Sequence, residues 1–318
     1  MKIRTIHVQK IFLLLAVIVL GAGCIKEDLE DCKTPTTLHF TYLADGNQNV
    51  LPHYIHKIDL YVFDSSNRLV EKFTYGQDEL ADQTKGHTFR LKKGKHTLVA
   101  VGNAYNRTRM VNMDQADFGR MYLQHPDWNN QLDITDGHDD NYLGKLEIDV
   151  PEFDGTGIEH TVQLFSTHIN VSVEIKGLAH LAPAATRAAP GVKLSFEKAN
   201  AQTNVLNQVS TTSKEICQPA LVYDAEKQLY HTEGLSLFRM DKEGLLEKTL
   251  CEHVLILTDL AGKELYRSNI YEYILSHPQH IDVTKQEALL PIEIEFTAVG
   301  VEIKVPGWVI VDGQPEWN

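Results

Sequence analysis

Cysteine is scarce in this chain: four in 318 residues, at positions 24, 32, 217 and 251, with no C-x-x-C among them. That excludes a dithiol redox motif and a cysteine zinc site. Linear catalytic signatures are missing as well. There is no G-x-S-x-G, H-E-x-x-H, Walker loop or G-x-G-x-x-G. Gly234-Leu235-Ser236 begins like a nucleophile elbow, but Phe238 stands where the second glycine would be. No motif asks for a cofactor or a metal, and an enzyme is not expected. Positive charge is also in deficit, with 30 Lys and Arg against 43 Asp and Glu and a net charge of -13. Such a body repels phosphate backbones, so nucleic acid is not an expected partner.

Long apolar runs are absent except at the N-terminus, and that one is informative. Lys2, Arg4 and Lys10 precede an unbroken apolar stretch, Ile11 to Leu20, and Gly21-Ala22-Gly23 then lead to Cys24. Charge, a short apolar core and small residues form the layout of a secretory signal peptide over residues 1–23. A spanning helix needs about 20 apolar residues, and Ile25-Lys26-Glu27-Asp28 ends this run early. Cys24 after two small residues resembles a lipobox, although Gly21 stands where Leu is usual, with Leu20 one step before. Ordinary cleavage near Cys24 is the alternative. Lipidation would make Cys24 the first mature residue, carrying palmitate-type acyl chains. At about 0.8 kcal/mol per buried methylene, several such chains anchor stably where one would not.

Residues 24–34 continue as an acidic, solvated tether (Lys26-Glu27-Asp28-Leu29-Glu30-Asp31). Removing residues 1–23 takes away three cations and leaves a net charge of -16. An exported protein sits where disulfides persist. Cys217 and Cys251 share one half of the chain and are the favoured pair, leaving Cys32 free or bonded in place of one of them.

The local patterns are those of an all-β protein. Ile58 to Phe63 and Arg68 to Tyr75 read as strands around the turn cluster Asp64-Ser65-Ser66-Asn67. Thr88 to Leu91 and Thr97 to Val101 read as a hairpin about Lys92 to Gly94. Val162 to Phe165 and the alternating Ile169 to Ile175 close the first half. Short strands then recur from Val192 through Trp308 to Val311, the spacing of sandwiches or barrels. Helix signals are two: Asp114 to Leu123 with Asp114 as its cap, and Asn269 followed by Ile270 to Leu275, stopping before Pro278. Ala179 to Pro190, reading AHLAPAATRAAP, lacks periodicity and is expected to be a linker. It separates an N-terminal domain, 35–178, from a C-terminal domain, 191–318.

Polar clusters offer little chemistry. Asp133, Asp136, Asp139, Asp140 and Asn141 supply the oxygens a hard cation prefers, but their spacing is not that of an EF-hand, and a solvated loop is the simpler reading. His53 and His56, and His277 and His280, are three apart and are expected to be structural. The sequons at Asn106 and Asn170 carry no weight in a bacterial lipoprotein. Trp128, in a loop, is the candidate contact for sugars or a partner, whereas Trp308 and Trp317 suit core and tail.

Four segments in order along the chain resemble the FimB-type fimbrial anchor family of Bacteroides-like bacteria, the fimbrillin-associated anchoring proteins. They are Cys24-Ile25-Lys26-Glu27-Asp28-Leu29-Glu30-Asp31-Cys32, then HKIDLYVFDSSNRLVEKF from His56 to Phe73, KHTLVAVGN from Lys95 to Asn103, and VEIKVPGWVIV from Val301 to Val311. The acidic run after Cys24 also resembles a surface-export signal of Bacteroides-type lipoproteins. The resemblance implies two transthyretin-like β-sandwich domains in tandem with a few short helices. It implies a non-enzymatic protein held in the outer membrane by acylated Cys24, which anchors a fimbria, limits its length and contacts stalk subunits by β-strand complementation. Stalk subunits of the family lose their first strand by cleavage after an Arg. No Arg lies between Cys24 and Asn67, and Arg187 falls in the linker, which favours an anchor. A surface glycan-binding lipoprotein using Trp128 and a fimbrial tip adhesin are the alternatives.

Overall fold

Ile58-Asp59-Leu60-Tyr61-Val62-Phe63 is a strand with every side chain buried. A strand with one wet face alternates apolar and polar residues, so continuous burial means that both faces of its sheet are covered. The computed structural model describes residues 32–82, 84–131, 133–181, 191–307 and 309. The signal peptide, Cys24, most of the tether, residues 182–190 of the linker, Trp308 and Trp317 lie outside these.

Strands are numbered β1–β24 in chain order. The strand above is β2 (Ile58–Phe63). Its sheet runs β11 (Phe165–Ser166), β9 (Tyr142–Val150), β5 (Gly94–Gly102), β2 and β3 (Leu69–Tyr75). Against one face packs a three-stranded sheet of β10 (Ile158–Gln163), β1 (Thr34–Thr41) and β4 (His87–Leu91). Between the two lie Leu38 and Phe40 from β1, Leu60 and Val62 from β2, Leu98 from β5 and Val162 from β10. Full burial of each such side chain contributes roughly 1.5–3 kcal/mol. The other face of the large sheet carries Tyr61, Phe63, Val99 and Val101. These pack under Met121, Leu123, Val205 and Phe238. The cover is partly a small sheet of β14 (Gln202–Asn204), β7 (Tyr122–Gln124) and β6 (Arg109–Val111), whose β14 comes from the second half.

The second sandwich has one sheet ordered β16 (Leu221–Asp224), β17 (Leu229–Thr232), β12 (His168–Lys176), β23 (Leu289–Phe296) and β24 (Val301–Lys304), with β18 (Leu235–Phe238) also pairing with β12. It faces β22 (Glu264–Asn269), β21 (Val254–Asp259), β13 (Val192–Asn200), β15 (Lys214–Cys217) and β8 (Ile134–Thr135). Val173 and Ile175, Leu194 and Phe196, Leu255 and Leu257, and Ile292 and Ile294 fill the space between. A hairpin, β19 (Asp241–Lys242) and β20 (Leu245–Leu246), stands apart. Three short α-helices, α1 (Leu51–Tyr54), α2 (Gln77–Ala81) and α3 (Ile270–Ser276), and two 3-10 turns, Phe118–Arg120 and Leu178–Leu181, are also formed. The fold is all-β: two β-sandwiches in tandem.

Four sequence expectations are corrected. The strand read at 169–175 belongs to the second sandwich, because β12 pairs with β17, β18 and β23. The boundary between the sandwiches therefore falls before β12, not at Ala179. Gly177 marks the real corner after β12: its φ is +72°, and a Cβ there would stand 2.0 Å from the Phe296 carbonyl. Next, β4 and β5 are not a hairpin. β4 pairs with β1, whereas β5 pairs with β2 and β9, so the chain changes sheets at Lys92 to Gly94. The helix expected over 114–123 is a 3-10 turn at Phe118–Arg120 followed by β7, since pairing with β6 and β14 overrides local propensity. Finally, β1 occupies residues read as tether and domain start. By contrast, α3 forms as expected, with Asn269 Oδ1 accepting from Glu272 N at 3.2 Å.

Candidate functional site

The densest polar constellation lies where the sandwiches meet. Tyr42 follows β1 directly and Tyr142 opens β9, and both hydroxyls donate to Glu287, the second at 3.1 Å. One residue earlier, Gln286 N donates to the Asp45 carboxylate at 3.0 and 3.1 Å, while Gln286 Oε1 accepts from Ser166 N at 2.8 Å. The segment entering β23 is thus stitched to the first sandwich. Burial is the main reason that the Glu287 carboxyl is pushed above the ordinary carboxylate range, against the pull of the two tyrosine hydroxyls. From the other side, Arg239 donates to Asp241 Oδ1 at 2.7 Å and to the carbonyls of Val283, Thr284 and Lys285 at 2.9–3.1 Å. A guanidinium with this many acceptors fixes a loop geometrically as well as electrostatically.

Apolar contact reinforces the seam. Phe238, fully buried, packs on the first sandwich and lies 3.8 Å, centroid to centroid, from the His138 ring. His138 Nε2 in turn lies 2.8 Å from Glu215 Oε1, with both side chains fully buried. These residues stand up to 245 positions apart in the chain. None belongs to a local motif, so no short-range pattern could have announced them.

The residues singled out from sequence are scattered. Cys24 lies outside the described residues. Trp128 is buried, at 9% exposure, and its indole N–H donates to the Lys214 carbonyl at 2.9 Å. It is a packing residue, not an open platform. Cys217 and Cys251 are both buried and both free, so the expected disulfide is not formed; Cys32 is free too. Burial pushes the Cys251 thiol up to about 12 and Cys217 upward as well, which leaves neither a reactive thiolate.

The acidic cluster disperses onto separate donors. Asp133 caps Asn129 N and Asn130 N, Asp136 meets His125, Asp139 accepts from Tyr105 N and Arg107 N, and Asp140 accepts from Ser236. Asn141 bonds Thr108 and the carbonyls of Gly102 and Asn103. Among the described residues no group of three or more acidic, His or Cys side chains is placed to hold a metal ion. His53 and His56 are exposed, and His277 Nδ1 lies 2.9 Å from the Tyr273 carbonyl. No helix among the described residues is long and apolar enough to cross a membrane.

What the molecule does expose is sheet edge. β3, β16, β22 and β24 each end a sheet. Val70 on β3 and Val222 and Tyr223 on β16 are about half exposed. An edge presents unpaired backbone donors and acceptors that another strand can satisfy.

Residues 29–313 match the family described as fimbrillin-A associated anchor proteins Mfa1 and Mfa2. The chain belongs to this family. A search among curated proteins finds no match for the sequence. Solved structures that resemble it include the fimbrial anchor protein Mfa2 of Porphyromonas gingivalis. That protein is 14% identical, with a TM-score of 0.55 and alignment over 82% of this chain and 90% of the other. A candidate adhesin from Bacteroides ovatus is 12% identical, with a TM-score of 0.63 over 87% and 95% of the two chains. A candidate polysaccharide-binding protein from Bacteroides thetaiotaomicron is 13% identical, with a TM-score of 0.62 over 86% and 96%. At these identities the structures establish a shared fold. The family itself establishes a fimbrial anchor and structural class of protein that works with fimbrial subunits.

Proposed function

We propose that this protein is a lipoprotein of the outer membrane, surface-exposed and held by acylated Cys24, which anchors a fimbria and limits its length without catalysing a reaction. The observation that carries the reading is the extent of the family match, from residue 29 in the tether to residue 313. It spans both sandwiches and starts five residues after the lipidation candidate. The position of β1 supports it. This strand begins ten residues after Cys24 and is already paired with β10 and β4, so the first sandwich keeps its own leading strand beside the tether. Contact with stalk subunits is then left to edges such as β3, β16 and β24, through backbone pairing. Among alternatives, sugar binding through Trp128 is not favoured, since that ring is buried.

The test is Cys24→Ala. The protein should leave the membrane fraction, and fimbriae should be shed or grow longer than in the parent. Unchanged fimbrial length and attachment in cells expressing this variant would overturn the proposal.

A further inference from the structure

The junction that locks the sandwiches together also walls a cavity of about 730 Å³. Its lining comes from Phe165 on β11, the loop after β14, the β19–β20 hairpin with the segment behind it, and the loop before β23. Small-molecule sites occur preferentially at such domain interfaces, with volumes of about 300–1,000 Å³.

The walls are built. Asn204 Oδ1 accepts from both Leu206 N and Gln208 N at 3.0 Å, and Asn207 Nδ2 donates to the Ser166 carbonyl at 3.1 Å, which pins that loop beside Phe165. The hairpin turns on Glu243 and Gly244, with φ +53° and +76°, the two-residue geometry that suits a right-twisted pair of strands. Arg239 holds the third wall through the carbonyls of 283–285.

The chemistry offered inside is specific. Phe165 is 43% exposed and Leu206 41%. A single exposed apolar side chain needs no explanation, but these two line the same cavity beside polar groups the protein leaves unused. Gln286 spends Oε1 on Ser166 N, and Gln208 spends Oε1 on Asn204, so each keeps an amide NH₂ with no partner among the described residues. The Thr249 hydroxyl and the Glu247 carboxylate, both on the lining, make no hydrogen bond among the described residues. Charge is close to balanced: Lys242 stands beside Glu243 and Glu247, and Arg239 is neutralised by Asp241. This setting attracts neither a polyanion nor a polycation. An aromatic face ringed by amide donors, a hydroxyl and a carboxylate matches a ligand with C–H faces and a rim of hydroxyls.

We propose that this cavity binds a neutral oligosaccharide, with Phe165 stacking on a sugar face and Gln208, Thr249, Glu247 and Gln286 meeting its hydroxyls. The site is separate from the anchoring role and does not depend on Cys24. The experiment titrates the purified full chain by calorimetry against neutral di- to tetrasaccharides of glucose, galactose and mannose. Sulfated and uronic-acid oligosaccharides are run in parallel. At least one neutral saccharide should bind. Phe165→Ala should weaken it roughly tenfold, and Thr249→Trp, which puts a large ring at an exposed position on the lining, should abolish it. Absence of binding by every neutral saccharide overturns the proposal. So does binding of the charged sugars alone, or binding that survives both substitutions.

Discussion

The two sandwiches solve the same packing problem differently. In the second, β12 is an ordinary half-covered strand: Val171, Val173 and Ile175 are buried, while Ser172, Glu174 and Lys176 between them are partly exposed. In the first, β2 is buried along its whole length because Met121 and Leu123 from its own half, together with Val205 and Phe238 from the second half, lie over the outer face of its sheet. The second sandwich fills its core with residues from Ile169 onward, whereas the first borrows Val205 and Phe238. Dependence through the apolar packing therefore runs one way.

Both nevertheless bury a carboxylate in a sheet and neutralise it alike. Asp59 sits between the ammonium groups of Lys57 at 3.1 Å and Lys72 at 3.5 Å. Glu293 sits between Lys176 at 2.7 Å and Lys304 at 3.3 Å. The shared device shows that the difference lies in the cover and not in the strand chemistry.

Removing the borrowed cover is the strongest way to break the comparison. Phe238→Ala should cost about 3–5 kcal/mol in urea unfolding. Hydrogen exchange should then show β2 and β5 losing protection before β13 and β21. Equal loss in both sandwiches would mean that the dependence is mutual.

Acid should sharpen the contrast from the other side. His253, just before β21, is fully buried with no hydrogen-bond partner among the described residues on either ring nitrogen, and burial pushes its pKa from 6.5 down to about 3. The unfolded chain takes up a proton near 6.5 while the folded chain does not, so stability declines as pH falls through that value. The loss reaches about 2 kcal/mol by pH 5. Replacing His253 with Leu should flatten that part of the stability curve, measured by denaturation between pH 7 and pH 5.

The smallest effect belongs to the lysines. Lys304→Ala on the β24 edge should cost about 1 kcal/mol or less and shrink as salt is raised, because its ammonium is partly in water. A salt-independent loss would point instead to lost packing of its stem.

How much of this was legible in the sequence depends on the range of the interaction involved. β2 and α3 are fixed by neighbours in the chain, a run of apolar residues in one case and an Asn cap in the other, and both were read correctly. β1 was missed because its buried face begins with Thr34 and Thr36, which look polar until packed. The supposed β4–β5 hairpin misled because Lys92 to Gly94 is a good turn whichever sheet receives the next strand. β12 carried a clear strand pattern, yet nothing within it says that its partners lie some 60 to 120 residues further on. The same limit hid the junction: Tyr42, Tyr142 and Glu287 are unremarkable singly and acquire meaning only when topology brings them together.

The placement of β1 has a mechanical corollary. A pull on Thr34 directed along β1 loads this strand in shear. It must slide six paired positions against β10 and five against β4 at once, rather than peel them away in turn. Loading backbone hydrogen bonds side-on and in concert gives a far higher rupture force than unzipping the same bonds. Under the proposed attachment at Cys24, that end of the first sandwich is the one that takes tension.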